Sequence, residues 1–243
     1  METKKIDSSK VLSWYAEGWR LFTKDPGLWV LLTFAFLAIN IALTLVPLVG
    51  QVAIALLTPA LLGGLLHGAR ESFQGGKLHL THLFSALMDP DRRGPMLMLG
   101  VLLLGAQAII LGIAMVLGLS QFLVIAPGEA PVFNPSGGAM LGLLVIVTFA
   151  ALMSMALLYA VPLVFFARLD PVAAIKRSFG ACWRNIGPLT IAGLIYLGLA
   201  AVASLVFFLG FLILIPVALG AVYASYRAIF EGSSPPSDFI VIE

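Results

Sequence analysis

Three histidines and a glutamate are the side chains of this sequence whose types and spacing come closest to a reactive site. His67, His79 and His82 lie close together in the sequence, and Glu71 follows His67 by four residues, which puts both on one face of a helix. Histidine nitrogens and carboxylate oxygens are ordinary zinc ligands, so a zinc site is one interpretation. The spacing matches no closed zinc motif such as paired CxxC, and we therefore predict no metal site.

Other reactive patterns are missing from the sequence. It has no Gly-rich phosphate loop, no Ser–His–Asp set, no paired catalytic carboxylates and no patch typical of nucleic-acid binding. The single cysteine, Cys182, cannot form an intrachain disulfide. We therefore predict a protein that is not an enzyme, uses no cofactor and binds no nucleic acid.

Long uncharged stretches define the class of protein. Of the 243 residues, 60% are apolar and 11% are charged; 44 uncharged residues separate Asp25 from Arg70, and 42 separate Arg184 from Arg227. The 74 residues between Arg93 and Arg168 contain one charge, Glu129. About 20 apolar residues cross a membrane as a helix. Each stretch is long enough for two crossings, so the sequence predicts an all-α polytopic membrane protein with six transmembrane helices.

The six predicted spans, numbered 1 to 6, form three hairpins. They run at about 28–46, 50–69, 96–118, 139–167, 188–207 and 210–228. No segment outside them is long enough to bury a core of its own. We predict one membrane domain over 1–232 and a flexible cytoplasmic tail over 233–243.

The cationic residues predict the orientation of the chain. With six spans, all fourteen Lys and Arg residues fall on one side of the membrane. The positive-inside rule makes that side cytoplasmic, so both termini are expected in the cytoplasm of a bacterium, with the chain in the inner membrane. The lipid bilayer is the expected partner, and two basic doublets are expected to face its anionic headgroups: Arg92 with Arg93, and Lys176 with Arg177.

Each hairpin is preceded by a segment that we predict to be an interfacial helix on the cytoplasmic side. Before span 1, Leu12, Tyr15, Trp19 and Phe22 recur at helical spacing beside charged residues. Corresponding segments are 80–87 before span 3 and 170–184 before span 5. The alternative interpretation is a docking surface for a cytoplasmic partner.

An internal similarity links hairpins 1 and 3. Six identities share an offset of 157 residues: Pro59/Pro216, Leu62/Leu219, Gly63/Gly220, Arg70/Arg227, Phe73/Phe230 and Gly75/Gly232. Hairpin 2 keeps the proline within its second span, Pro162. Two-helix units that repeat keep the same orientation, so we predict a degenerate parallel repeat of three hairpins.

Prolines and amides inside the spans are candidates for a cavity or hinge. Pro59, Pro162 and Pro216 each remove a backbone donor, which predicts a kink and allows a central cavity, although a simple packing bend is the alternative. Asn40 and Gln107 are the candidate polar residues of such a cavity, and their other role is hydrogen bonding between helices. Both are uncharged, which argues against a proton-driven pump.

Several short motifs carry a resemblance to known proteins. They are Gly18-Trp-Arg-Leu-Phe22, Pro26-Gly-Leu-Trp29, Pro59 with Gly63-Gly64, and Leu83-Phe84 after Thr81. With these, the whole chain resembles a family of small uncharacterised bacterial inner-membrane proteins with six helices. More distantly it is similar to the membrane region of some glycerophosphodiester phosphodiesterases. The resemblance implies a fold class and brings no catalytic residue, because the soluble phosphodiesterase domain is absent here.

Three functions remain open from the sequence. The favoured one is a structural, lipid-associated or assembly component, with a membrane-protein partner or a second copy of the chain as possible neighbours. The alternative is a transporter or channel for an uncharged or lipid-like molecule. A lipid-headgroup enzyme would require His67, Glu71, His79 and His82 to converge.

Overall fold

The computed structural model describes residues 3–116, 137–205 and 209–232. All regular elements in these ranges are helical. The α-helices are α1 (Val11–Lys24), α2 (Pro26–Thr44), α3 (Val49–Phe73), α4 (Ser85–Met88), α5 (Pro90–Val116), α6 (Gly137–Leu158), α7 (Ala160–Ala167), α8 (Pro171–Arg184), α9 (Ile186–Leu205) and α10 (Phe211–Tyr226). Short 3-10 turns precede α1 and α4, at Ser8–Lys10 and Leu80–Phe84, and a π-helical turn, Arg227–Glu231, continues α10.

In the described ranges, six helical segments are long and apolar enough to cross a membrane, which agrees with the predicted number and class. They are Pro26–Thr44, Val49–Phe73, Pro90–Val116, Gly142–Ala167, Ile186–Leu205 and Phe211–Glu231, and they correspond to spans 1 to 6. Span 3 begins earlier than expected because Pro90 starts its first turn. The predicted tail, the loop around Glu129 and the far ends of spans 3 and 5 lie outside the described residues.

Local sequence explains where the helices begin and end. The carboxylate of Asp25 accepts a hydrogen bond from the Leu28 N–H at 3.2 Å, and Pro26 occupies the first turn of α2. Asp170 caps α8 in the same way. At the C-terminal end of α3, Gly75 adopts a φ of +84° and the Gly76 N–H donates to the Glu71 carbonyl at 2.8 Å, which is a Schellman termination.

Spans 2 and 6 and the α7 end of span 4 form the inside of the molecule. Buried residues concentrate in the second half of α3, in α7 and in α10, whereas α2, α5 and α9 are mostly exposed. Trp29, Tyr159, Phe165 and Tyr226 are among the largest fully buried side chains. The bundle therefore has a protein core formed by span 2, the α7 end of span 4 and span 6, whereas α2, α5, α6 and α9 form its outer surface.

The short segments before the spans pack against the inner helices. Helix α1 lies along α10, the turn Leu80–Phe84 and α4 lie on α3, and α8 lies on α6 and α7. The first contact is close because both sides carry glycine: a Cβ on Gly18 would lie 2.1 Å from the Val217 carbonyl oxygen, and one on Gly220 would lie 2.6 Å from the Gly18 Cα.

One local prediction differs from the structure. The expected helix at 80–87 is a 3-10 turn followed by the one-turn α4, and the turn is capped by the His79 N–H, which donates to His82 Nδ1 at 3.0 Å. Hydrophobic periodicity does not report this side-chain hydrogen bond to the backbone. The proline of span 4 was expected to kink its helix, and the helix breaks at Tyr159, three residues before Pro162.

Candidate functional site

A groove of about 730 Å³ lies between spans 4, 5 and 6. Its walls include Ala151 and Ser154 of α6, Thr190 and Gly193 of α9, and Val222 of α10. Trp14 and Tyr15 of α1 and Cys182 of α8 line the end nearest the charged residues. Because Ala151, Ser154, Thr190 and Gly193 are also exposed, the groove opens sideways between spans 4 and 5, toward the outside of the bundle.

The polar groups that line the groove are mostly satisfied within the protein. The Tyr15 hydroxyl donates to the Ala192 carbonyl at 2.7 Å. The hydroxyls of Ser154, Thr190 and Ser225 donate to carbonyls of their own helices at 2.7 to 2.8 Å. Tyr196 differs, since its hydroxyl has no hydrogen bond to another described residue. The groove therefore presents a largely apolar surface to whatever occupies it.

Helices α6 and α9 beside the groove hardly touch, whereas the corresponding helices of the preceding pair of hairpins, α3 and α5, pack tightly. Helix α5 lies directly on α3, and a Cβ added to Gly100 would come within 2.5 Å of the Leu56 Cα. No comparable packing joins α6 and α9 in the described ranges. The groove follows from this missing contact.

A serine side chain stabilises the break in span 4 beside the groove. The Ser178 hydroxyl of α8 accepts a hydrogen bond from the Tyr159 N–H at 3.0 Å and donates to the Met155 carbonyl at 2.8 Å. It thus sits between a donor and an acceptor that an unbroken helix would join directly. Pro162 lies just beyond, where a proline disturbs the carbonyl four residues earlier. Burial raises the pKa of the nearby Cys182 thiol to about 12, so it stays protonated and unreactive near neutral pH.

The predicted cavity residues lie away from this groove. The Asn40 amide donates to the Phe36 carbonyl of its own helix at 2.8 Å, and Gln107 is exposed on α5. Pro59, Pro162 and Pro216 are buried in the three inner spans. Among the described residues, the groove lining includes none of these five, and sequence patterns gave no signal for the groove itself.

The prolines of spans 2 and 6 do not interrupt their helices. Helix α3 continues through Pro59, and the Thr58 hydroxyl donates to the Ile54 carbonyl at 2.6 Å. Pro59 leaves the Ala55 carbonyl without its usual helical donor, and Gly100 of α5 packs against that stretch of backbone. Helix α10 likewise continues through Pro216.

The four residues expected to face headgroups divide into two groups. Arg93 and Lys176 are exposed and Arg177 is half-buried. Arg92 instead lies over the ring of Phe165, with its guanidinium 4.3 Å from the ring centroid, and forms an ion pair with Asp89 at 3.3 Å. Arg92 is therefore directed toward the protein.

The histidines do converge at the end of α3. The rings of His67 and His82 are 5.0 Å apart, those of His79 and His82 are 5.6 Å apart, and His67 lies 3.7 Å from the Glu71 carboxylate. Burial, and next the neighbouring His79, lowers the pKa of His82, which favours its neutral form. In the part of the chain that the structure describes, no three such side chains are placed to hold a metal ion.

A buried arginine is a feature that the sequence analysis did not assign. Arg227 is 8% exposed, lies 3.9 Å from both Glu17 and Glu231, and stacks over the Phe73 ring at 3.7 Å. Burial raises the pKa of Glu17, an effect that Arg227 opposes. The sequence feature that could have singled out Arg227 is its match with Arg70 in the internal similarity.

Asn185 is a second unassigned polar residue, and it anchors the N-terminal segment. It is buried between α8 and α9. Its side-chain oxygen accepts from the Ile6 N–H at 2.7 Å, and its amide donates to the Lys4 carbonyl at 3.1 Å and to the Ala181 carbonyl at 2.9 Å. Its role is structural, since all these bonds join segments of the same chain.

Comparison with known proteins supports the membrane class. No family model and no solved structure matches the chain. A protein of Burkholderia thailandensis named "Probable inner membrane protein" is 26% identical over 256 residues, covering 96% of this chain and 93% of the relative. Together with six helices able to span a bilayer, this identifies an integral membrane protein and supports a bacterial inner-membrane location. The comparisons lend no support to the resemblance to glycerophosphodiester phosphodiesterases.

Proposed function

We propose that this protein is a non-enzymatic, lipid-associated membrane protein that holds the acyl chain of a membrane lipid between spans 4 and 5. The observation that carries the proposal is the apolar groove of about 730 Å³, whose open side faces the hydrocarbon. Lipid tails surround the bundle at high concentration, and an apolar groove with satisfied hydroxyls matches their chemistry.

The proposed orientation places the groove in the cytoplasmic leaflet. Its closed end is lined by Trp14 and Cys182, which belong to the amphipathic helices α1 and α8. Both helices carry basic residues, and the positive-inside rule assigns such segments to the cytoplasm. In this arrangement α1 and α8 are interfacial helices that lie in the headgroup layer at the closed end of the groove.

The proposal includes the threefold hairpin repeat. Its support is that Gly75 and Gly232, matched by the internal similarity, both adopt positive φ at the ends of spans 2 and 6, +84° and +64°. The order of packing adds to this. The segments before hairpins 2 and 3 each contact the second span of the preceding hairpin, and α1, which precedes hairpin 1, contacts the second span of hairpin 3. The groove then lies where hairpins 2 and 3 meet.

Filling the groove tests the function directly. Gly193 lines the groove and a Cβ on it meets no atom within 4 Å, so Gly193→Leu adds bulk there with open space around its Cβ. The matched control is Gly198→Leu, since Gly198 lies on the same helix with equal space and outside the groove lining. We expect purified Gly193→Leu to retain less phospholipid after detergent washing, measured by mass spectrometry of extracted lipids, and Gly198→Leu to match the unaltered protein. Equal retention by all three proteins would show that the groove holds no lipid.

Transport of an uncharged or lipid-like molecule is the second candidate. The observation in its favour is the same sideways opening, with the unpartnered Tyr196 hydroxyl inside it. Asn40, bonded to its own helix, and Gln107, exposed on α5, give it no further support. Flux of a fluorescent phospholipid across reconstituted vesicles, lost in Gly193→Leu and kept in Gly198→Leu, would favour transport over retention.

A further inference from the structure

The shape of the groove can be traced to single residues. This inference rests on the proposed function and extends it. Each outer span begins after a polar residue that ends the preceding segment: Asp25, Asp89 and Asn185. Counting eleven residues onward from each gives Phe36, Gly100 and Tyr196. These three residues are equivalent in their distance from the start of the three outer spans.

At the tightly packed side of the bundle, the equivalent position is glycine. Gly100 is buried, and its Cα lies so close to α3 that an added Cβ would come within 2.5 to 2.7 Å of backbone atoms of Ala55 and Leu56. Met96 and Leu99 beside it are fully buried. Any larger residue at this position would hold spans 2 and 3 apart.

At the open side, the equivalent position is tyrosine. Tyr196 lines the groove, and α9 does not pack on α6. It lies ten residues beyond Ile186, about 15 Å along the helix, which is near the middle of the hydrocarbon. Its hydroxyl bonds to no other described residue, so its bulk is the property that can affect the distance between the helices.

The positive charge of α8 is the feature that points to an anionic lipid. Helix α8, which contributes Cys182 to the closed end, carries Lys176, Arg177 and Arg184 and no acidic residue between Pro171 and Arg184. Each basic residue near a membrane surface contributes about 1 kcal/mol of attraction to anionic lipid. A phosphodiester headgroup beside α8 would place an acyl chain at the groove.

We propose that Tyr196 holds span 5 away from span 4 and thereby forms a binding groove for one acyl chain of an anionic phospholipid, whose headgroup lies against α8. The third hairpin has Tyr196 where the second hairpin has Gly100. A lipid site therefore takes the place of the packed contact between hairpins. Tyr196 is a positioning residue that shapes the groove and needs no hydrogen bond to the ligand.

The test compares two substitutions at one position. Tyr196→Gly removes the bulk and lets the helices approach, whereas Tyr196→Phe keeps the bulk and removes the hydroxyl. Delipidated proteins in detergent are incubated with dioleoyl phosphatidylglycerol or dioleoyl phosphatidylethanolamine, which share acyl chains and differ in net charge, and bound lipid is quantified after repurification. We expect Tyr196→Phe to bind phosphatidylglycerol normally, Tyr196→Gly to bind it about tenfold less tightly, and phosphatidylethanolamine to bind weakly throughout.

A distance measurement checks the cause separately from the binding. Spin labels on Ser154→Cys and Thr190→Cys, in a Cys182→Ala background, report the separation of spans 4 and 5, which should shorten in Tyr196→Gly and stay unchanged in Tyr196→Phe. Where Tyr196→Gly is not monodisperse on gel filtration, Tyr196→Ala replaces it, because alanine restores helix propensity.

The outcomes separate the two proposals. Loss of lipid in Gly193→Leu with full retention in Tyr196→Gly would overturn the role of Tyr196 and leave the proposed function standing. Full retention of lipid in both Gly193→Leu and Tyr196→Gly would overturn the proposed function as well. Equal loss in Tyr196→Phe and Tyr196→Gly contradicts an effect of bulk, and equal binding of the two lipids contradicts the assignment of an anionic headgroup.

Discussion

Ser178 shows how a single hydroxyl can stabilise a break in a membrane helix. In a bilayer, a backbone N–H or carbonyl without a partner costs several kcal/mol, so a broken helix must find substitutes. The Ser178 hydroxyl donates to the Met155 carbonyl and accepts from the Tyr159 N–H, so both groups at the break are satisfied. The hydroxyl also fixes α8 against span 4 at the closed end of the groove.

Removing this hydroxyl should destabilise the protein. Ser178→Ala leaves the Tyr159 N–H and the Met155 carbonyl without the partner they share, so we expect a loss of about 1–3 kcal/mol in the free energy of unfolding. Thermal unfolding in detergent, followed by circular dichroism, measures it as a lower melting temperature. Ser154→Ala is the control, because the Ser154 hydroxyl is exposed and bonds within its own turn. A melting temperature for Ser178→Ala equal to that of the control would contradict the role assigned to Ser178.

Side-chain contacts between distant segments were the part of the site that the sequence could not predict. Ser178 and Tyr159 are 19 residues apart, and Asn185 bonds to a backbone N–H 179 residues earlier. Neither contact produces a periodic or local pattern in the sequence. The histidines were singled out because of their proximity in sequence, and they do lie together, since the turn Leu80–Phe84 packs directly on α3.

At the scale of the elements, glycine determines how closely α1 and α10 approach. The Cα atoms of Gly18 and Gly220 face each other so closely that a side chain on either would overlap backbone of the opposite helix. Close approach between helices in a bilayer is favourable because the association depends on van der Waals contact. The contact joins the first amphipathic helix to the last span, and Arg227 with Glu17 adds an ion pair at 3.9 Å.

A methyl group at this crossing should separate the two helices. Gly18→Ala places a Cβ 2.1 Å from the Val217 carbonyl oxygen, and rigid backbone cannot move aside cheaply, so we expect a destabilisation of about 1–3 kcal/mol. Gly180→Ala on α8 is the matched control, since its Cβ meets nothing within 4 Å and alanine favours helix. Thermal unfolding of both variants in the same detergent compares them. If Gly18→Ala melts no lower than Gly180→Ala, the close crossing of α1 and α10 is wrong.

The existence of the helices was predictable, but their places in the bundle were not. Uncharged stretches of more than 40 residues leave little choice except paired spans, and capping residues such as Asp25 and Asp170 mark helix starts. The spans are apolar on all faces, so no stripe distinguishes α3 in the core from α2 at the surface. For the same reason the groove and the separation of α6 from α9 could not be foreseen.

At the scale of the whole molecule, the N-terminal segment links the first and third hairpins. The Lys4 N–H donates to the Ile229 carbonyl at 2.9 Å, Asn185 holds Lys4 and Ile6, and α1 lies on α10. All these contacts lie at the end of the bundle that carries the basic residues. If that end is cytoplasmic, the groove between spans 4 and 5 opens to the inner leaflet, so the orientation decides which lipids can reach it.

Cysteine labelling of intact cells tests this orientation. In a Cys182→Ala background, Lys77→Cys and Lys176→Cys place exposed thiols at the basic end, and Leu45→Cys places one in the turn between spans 1 and 2, at the opposite end. Fourteen basic residues at one end predict that a membrane-impermeant maleimide labels Leu45→Cys in intact cells and labels the other two only after permeabilisation. Labelling of Lys77→Cys and Lys176→Cys in intact cells would place the basic end outside, and the groove would then open to the outer leaflet of the membrane.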